Sequence, residues 1–215
     1  MQIHGIVLAG GKSRRMGRDK ALLPWHGRPL IQHIVSQLAE VCDSITVVTR
    51  YPNPYAFLTQ VRFALDQYPE AGPLAGIHAG LRRAPCDYSW VSACDMPYFS
   101  AALFRQMKES LHEEEGDHSP DAVLVREQPL PGLYHRRILP RLAENLSSGK
   151  RALSELLPRL RNHYLSPEEV ETALRQSSGN PFLNLNLPQD YRNACTGECV
   201  PTPPINSTSI NSPER

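Results

Sequence analysis

The chain has 215 residues, with 23 Lys and Arg against 22 Asp and Glu, a formal net charge of +1 and 40% hydrophobic residues. That length suits one α/β domain with a real core, and the even charge excludes a molecule that coats a polyanion, so no nucleic-acid partner is expected. No stretch reads as a membrane span or an export signal, and five cysteines, an odd number, argue against a disulfide framework; a cytoplasmic protein with reduced thiols and no membrane contact is expected.

Ile3 to Leu8 is an unbroken apolar run, the pattern of a strand buried on both faces. It leads directly into Ala9-Gly10-Gly11-Lys12-Ser13-Arg14-Arg15-Met16-Gly17-Arg18-Asp19-Lys20. Glycines let the main chain approach a ligand closely, so that consecutive N–H groups can point at one anion. Lys12, Arg14, Arg15 and Lys20 add planar forks and point charges, and the loop therefore suits a polyphosphate. It is not a Walker A loop, because the first glycine of that pattern would fall on Ile6. Nor is it the dinucleotide fingerprint, since Gly10 and Gly11 are adjacent.

Leu22 to Gly27 reads as a short extended piece and a turn, and Leu30, Ile31, Ile34, Val35 and Leu38 recur at helical spacing. Strands are expected at Ser44 to Thr49 and, after the Tyr51-Pro52-Asn53-Pro54 break, at Val61 to Leu65, which ends at Asp66. A helix with small residues on its face, Gly76 and Gly80 among them, covers Leu74 to Arg83. Tyr88 to Ala93 is a further strand and runs into Cys94-Asp95-Met96-Pro97. Ser100 caps a helix carrying Leu103, Met107 and Leu111.

Asp121 to Val125 and Pro131 to Tyr134 are two strands with no long crossover between them, so one of the pair is antiparallel to the rest. Helices follow at Arg137 to Leu146 and Ala152 to Leu160, a strand at His163 to Leu165, and a helix start at Ser166-Pro167-Glu168-Glu169. Phe182 to Asn186 is expected as a last strand, and Leu187-Pro188-Gln189-Asp190 opens a final helix. These elements give one domain over residues 1–193, with a disordered Pro-, Thr-, Ser- and Asn-rich tail over 194–215.

Strands alternating with helices indicate a mostly parallel sheet with a helical layer on each face, and such sheets bind ligands beyond the carboxyl ends of their strands. Gly10 to Lys20, Asp66 and Asp95 all fall at such ends and favour a single cleft. Asp95 reads as a Mg²⁺ ligand or as a turn cap before Pro97. Asp66 reads as an acceptor for a ribose or base, or as a surface residue. Asn184 and Asn186, two apart on one strand, would face the same way and reach metal waters or phosphate, unless both satisfy local turns.

The pattern L-A-G-G-x-S-x-R-M-G-x-D-K resembles the signature loop of nucleotidyltransferases, and its doubled glycine resembles the molybdenum cofactor guanylyltransferases. Cys94-Asp95-Met96-Pro97-Tyr98 is similar to that family's C-D-x-P-Y segment, and Asp66 with Gly72-Pro73-Leu74-Ala75-Gly76 to its D and G-P-L-A-G segments. Asn184 to Asp190 is similar to N-x-N-T-P-E/Q-D, with Leu187 in place of Thr. Gln128 to Tyr134 resembles the acceptor-side segment, with Arg136, Arg137, Lys150 and Arg151 as nearby cations.

The resemblance implies a Rossmann-like three-layer nucleotidyltransferase fold and transfer of GMP from GTP to molybdenum-bound molybdopterin with release of pyrophosphate. It implies catalytic roles for Arg15, Lys20 and Asp95, and nucleotide binding by Leu8, Ala9, Gly10, Gly11, Lys20, Asp66, Gly76 and Asp95. Asp95 would bind Mg²⁺, with Asn184 and Asn186 near metal or phosphate. The implied partners are GTP, molybdopterin and a transient molybdoenzyme or chaperone. Two other readings stand beside it: a transferase of the same fold that uses CTP or another phosphorylated acceptor, and a non-catalytic binder of nucleotide or cofactor.

Overall fold

The structure is a computed structural model that describes residues 1–10, 19–68, 71–111 and 119–196. Its centre is β1 (Ile3–Leu8), every residue of which is buried. A small antiparallel hairpin follows, β2 (Pro24–Trp25) and β3 (Arg28–Pro29), turned by His26 and Gly27 at positive φ. Then come α1 (Leu30–Leu38), β4 (Ser44–Thr49), β5 (Arg62–Leu65), α2 (Gly72–Leu81), β6 (Tyr88–Ala93) and α3 (Ala101–Glu109). The second half contributes β7 (Ala122–Val125), β8 (Gln128–His135), α4 (Leu139–Ser147), α5 (Leu153–Leu156), β9 (Asn162–Tyr164), α6 (Pro167–Arg175) and α7 (Pro188–Thr196).

Among the described residues the main sheet has seven strands in the order β5-β4-β1-β6-β8-β7-β9. All neighbours pair in parallel except those of β8, which runs antiparallel to both β6 and β7. The chain lays β4 and β5 on one side of β1 and then crosses to place β6 on the other. That reversal opens a crevice beyond the carboxyl ends of β1 and β6, where open α/β sheets take their ligands.

Alternation along β1 divides the core in two. Ile3 and Val7 point to the face covered by α1 and α3, whereas Ile6 and Leu8 point to the face covered by α2 and α4. Gly76 and Gly80, one turn apart on α2, let this helix lie directly on β1: a Cβ at Gly80 would stand 2.6 Å from Ile6 Cγ2, and one at Gly76 2.9 Å from Leu8 Cδ2. His4 is fully buried between β1 and β4, with its ring nitrogens 2.7 Å from Ser44 Oγ and 2.9 Å from Thr46 Oγ1. Burial, and then the charge of Arg62, push its pKa down to about 4, so it serves as a neutral cross-strand tie.

Several expected boundaries move. The second helix begins at Gly72, not Leu74, and the span from Arg137 opens as a 3-10 turn, Arg136–Ile138, before α4. Ala152 to Leu160 divides into α5 and the turn Leu157–Arg159, where Pro158 has no N–H to continue the ladder. Phe182 to Asn186 joins no sheet: Asn186 N–H donates to Asn184 O at 3.0 Å, a tight turn that an extended ladder excludes. The final helix runs to Thr196 and buries Ala194, so packed chain continues past residue 193; residues 197–215 lie outside the described part.

Gly80→Ala is expected to cost about 1–3 kcal/mol through overpacking against the stiff, β-branched Ile6. Gly76→Ala meets only the far end of Leu8 and gains helix propensity, and should change stability by under about 1 kcal/mol. Urea unfolding of the two variants checks the difference.

Candidate active site

The end of β1 is fastened on both sides. Ala9 N–H donates to Val48 O at 2.8 Å, and Leu8 O accepts from Cys94 N–H at 3.0 Å. Leu8 and Ala9 are therefore buried and their polar groups engaged in the sheet, while Gly10 emerges at the edge. Asp66, just past β5, is anchored by its N–H to Thr49 O at 3.3 Å. Its carboxylate lies over Gly10, where an added Cβ would be 3.7 Å from Asp66 Oδ2. The crevice thus has a carboxylate and a bare backbone in contact across two strands' width. At Gly76 an added Cβ would meet the Leu8 side chain within the core, so its missing side chain serves helix-to-strand packing.

Lys20 opens the 3-10 turn Lys20–Leu22, whose N-cap is Asp19: Asp19 Oδ1 accepts from Ala21 N–H at 3.0 Å. From this turn the Lys20 ammonium spans the cleft to Asp95 Oδ2 at 3.3 Å and Asn186 Oδ1 at 3.1 Å. The pair is largely screened from solvent, with side chains 13% and 20% exposed for Lys20 and Asp95. The third member is set by three further bonds. Leu185 N–H donates to Asp95 O at 2.9 Å, and Asp190 Oδ2 accepts from the N–H groups of Asn186 and Leu187 at 2.9 and 2.7 Å.

Asp190 acts as the carboxylate of a helix N-terminus, three residues inside α7, reaching back to the chain that enters it. Asn184 does not join the cluster; its side-chain amide donates to Phe182 O at 3.1 Å. Gly11 and Arg15 lie outside the described residues.

The cations expected on the acceptor side separate. Because β8 is antiparallel, its first residues stand at the cleft end and His135 pairs with Tyr88 at the opposite end of the sheet. Arg136 and Arg137 follow His135 there, and Arg137 Nε is bound to the buried Asp121 carboxylate at 2.6 Å. Only the loop carrying Lys150 and Arg151 comes near the cleft end, with Arg151 O 3.8 Å from a Cβ built on Gly72 at the start of α2.

Cys94 is half-buried beside Asp95, and desolvation first, then the carboxylates of Asp95 and Asp19, push its thiol well up; it stays a neutral thiol. No cluster of three or more His, Cys, Asp or Glu able to hold a metal is found among the described residues. The donors at hand are the Asp95 carboxylate and the Asn186 amide oxygen. A single carboxylate with an amide oxygen does not make a complete protein cage, but it matches a hard cation shared with substrate phosphates. Asp19 and Asp190, which hold Lys20 and Asn186 in position, stand in the sequence as the aspartates that close the glycine-rich loop pattern and the Asn184 to Asp190 segment, but with no role expected of either; Tyr55 carried no signal.

Residues 5–163 match the family model described as MobA-like NTP transferase domain. A molybdenum cofactor guanylyltransferase of Syntrophotalea carbinolica is 34% identical over 191 residues, 86% of this chain and 87% of that protein. A probable molybdenum cofactor guanylyltransferase of Carboxydothermus hydrogenoformans is 33% identical over 86% of this chain and 91% of its own. The crystal structure of molybdopterin-guanine dinucleotide biosynthesis protein A from Archaeoglobus fulgidus superposes with a TM-score of 0.72 at 25% identity, covering 90% of this chain and 97% of that one. The family match runs from within β1 to within β9 and so takes in residues of all seven strands, with Lys20, Asp66 and Asp95; the chain belongs to the MobA-like NTP transferases.

Proposed function

We propose that this protein transfers GMP from GTP to the phosphate of molybdenum-bound molybdopterin, releasing pyrophosphate and forming the guanine dinucleotide cofactor. The observation that carries the reading is the Lys20 ammonium, held between Asp95 and Asn186 at the mouth of the crevice in a chain whose relatives bear that name. A terminal phosphate oxygen of the pterin attacks the α-phosphorus of GTP, a new P–O bond forms, and the bond to the bridging oxygen of pyrophosphate breaks with its electron pair leaving on pyrophosphate. A phosphate monoester has a second pKa of about 6 and is largely dianionic near neutrality, so no strong general base is required.

The chain's task is to hold two anions together and to offset charge on the departing group. Lys20, with Arg15 and the Gly10 and Gly11 amides, is assigned to that charge, and Asp66 to the ribose or base beside Gly10. Asp95, with Asn186, would hold Mg²⁺ jointly with the nucleotide phosphates, and the ion supplies charge neutralisation when bound. Among the described residues no helix is long and apolar enough to cross a membrane, in keeping with a cytoplasmic site of action. The finished cofactor must then pass to an apoenzyme or a chaperone.

The deciding experiment is pyrophosphate release from each of the four NTPs with Mg²⁺, with and without molybdenum-bearing molybdopterin. Release from GTP only with the pterin present is expected; release from CTP, or without the pterin, moves the protein to a neighbouring transferase, and no release at all leaves a binding module. Lys20→Ala should lower kcat by about 10²–10³ while shifting Tm by less than about 3 °C, because the Asp95 carboxylate it uncovers can be solvated. Equal losses of stability and activity would count against a catalytic role. Asp95→Asn should remove the dependence of the rate on Mg²⁺, and an unaltered magnesium titration overturns that assignment.

A further inference from the structure

We infer that Tyr55 is a positioning residue for this reaction, acting through Asp19 to set the Lys20 ammonium. The inference rests on the role proposed for Lys20. Tyr55 lies in the 3-10 turn Asn53–Tyr55 that follows β4, outside the short motifs singled out in the sequence. Its ring is only 2% exposed and packs in the core on the α1 face.

The hydroxyl donates to Asp19 Oδ2 at 2.5 Å, a charge-assisted hydrogen bond. The other oxygen of the same carboxylate caps the turn that begins with Lys20. One carboxylate therefore fastens the N-terminus of that turn, through Ala21 N–H, to the core across 36 positions of sequence. The turn's other end is secured by Leu23, buried at 1% exposure, whose N–H donates to Lys20 O at 3.1 Å. Between these two anchors the Lys20 backbone is fixed, and its side chain reaches Asp95 and Asn186.

A buried phenol must place its hydroxyl on an acceptor, and here burial first and then the Asp19 hydrogen bond and charge raise its pKa, so it remains a donor. A core that needed only an apolar body at this position would be served by Phe. The hydroxyl's acceptor at 2.5 Å is the carboxylate that caps the catalytic turn, with the Thr49 side chain as a second neighbour.

The test is a double-mutant cycle on pyrophosphate release from GTP with Mg²⁺ and molybdenum-bearing molybdopterin, using wild type, Tyr55→Phe, Lys20→Ala and the double variant. Tyr55→Phe keeps the ring and should lower kcat about tenfold, with KM for GTP within about twofold and Tm within about 3 °C. In the Lys20→Ala background the same change should have less than about a twofold effect, since the group it positions is gone. A full tenfold loss in that background, or a fall in Tm that accounts for the loss, overturns the inference.

A crystal structure of Tyr55→Phe needs no turnover. Loss of the Lys20 contact to Asp95 or Asn186 supports the inference, and an unmoved ammonium overturns it. Wild-type protein that releases no pyrophosphate refutes the transfer reading alone, and the crystal structure then decides on Tyr55.

Discussion

The Lys20 ammonium joins three stretches of chain that lie far apart in sequence. It reaches Asp95 at the end of β6 and Asn186 before α7, from a turn that follows the glycine-rich loop. An ammonium shared by a carboxylate and an amide oxygen in a largely screened cleft is favourable only if each partner is already fixed, because ordering long side chains costs entropy that a partly exposed ion pair does not offset. The surrounding structure supplies that order through backbone bonds: Leu8 O to Cys94 N–H, Asp95 O to Leu185 N–H, and the two N–H groups on Asp190. The cleft is thus built by the sheet, and its charges are distributed over chain ends that the sheet has already placed.

Much of this was legible in the sequence where residue type and local geometry coincide. The run Ile3 to Leu8 could only be a buried central strand, and Ser44 to Thr49 and Tyr88 to Ala93 have the observed boundaries of β4 and β6. From those strands the ends at Gly10, Asp66 and Asp95 followed, and the structure brings Gly10 and Asp66 into contact. Phe182 to Asn186 misled because an apolar and polar alternation of that length also suits an extended segment pinned from outside. Here Leu185 and Phe182 are buried without any strand partner, and the hydrogen bond from Asn186 to Asn184 turns the two side chains apart.

What the sequence could not display was pairing between distant polar groups. Tyr55 to Asp19 and Asn186 to Lys20 are hydrogen bonds across 36 and 166 positions, and neither residue of either pair has a local pattern that points to the other. Glycine was ambiguous for a related reason. Gly76 in G-P-L-A-G suits close approach to a ligand or to a neighbouring strand, and the 2.9 Å distance from its absent Cβ to Leu8 establishes the approach to the strand.

The single antiparallel strand has a consequence for how the crevice is bounded. In an all-parallel sheet the residues after each strand fall at the ligand end, and Arg136 and Arg137 would then join the cleft. Because β8 enters at the cleft end and leaves at the other, its first residues, Gln128 to Pro131, border the site instead. The two arginines go to the far edge, where Asp121, 2% exposed, binds Arg137 and Arg141 and accepts the Arg161 N–H. Burial alone would raise its pKa, but the hydrogen bonds from Arg137 and the Arg161 N–H and the charges of Arg137 and Arg141 outweigh that and hold it below the ordinary value, so the carboxylate stays charged and ties together the chain flanking β7, β8 and β9. Positive charge that would compete for the substrate's phosphates is thereby committed to the scaffold at the edge opposite the Lys20 ammonium.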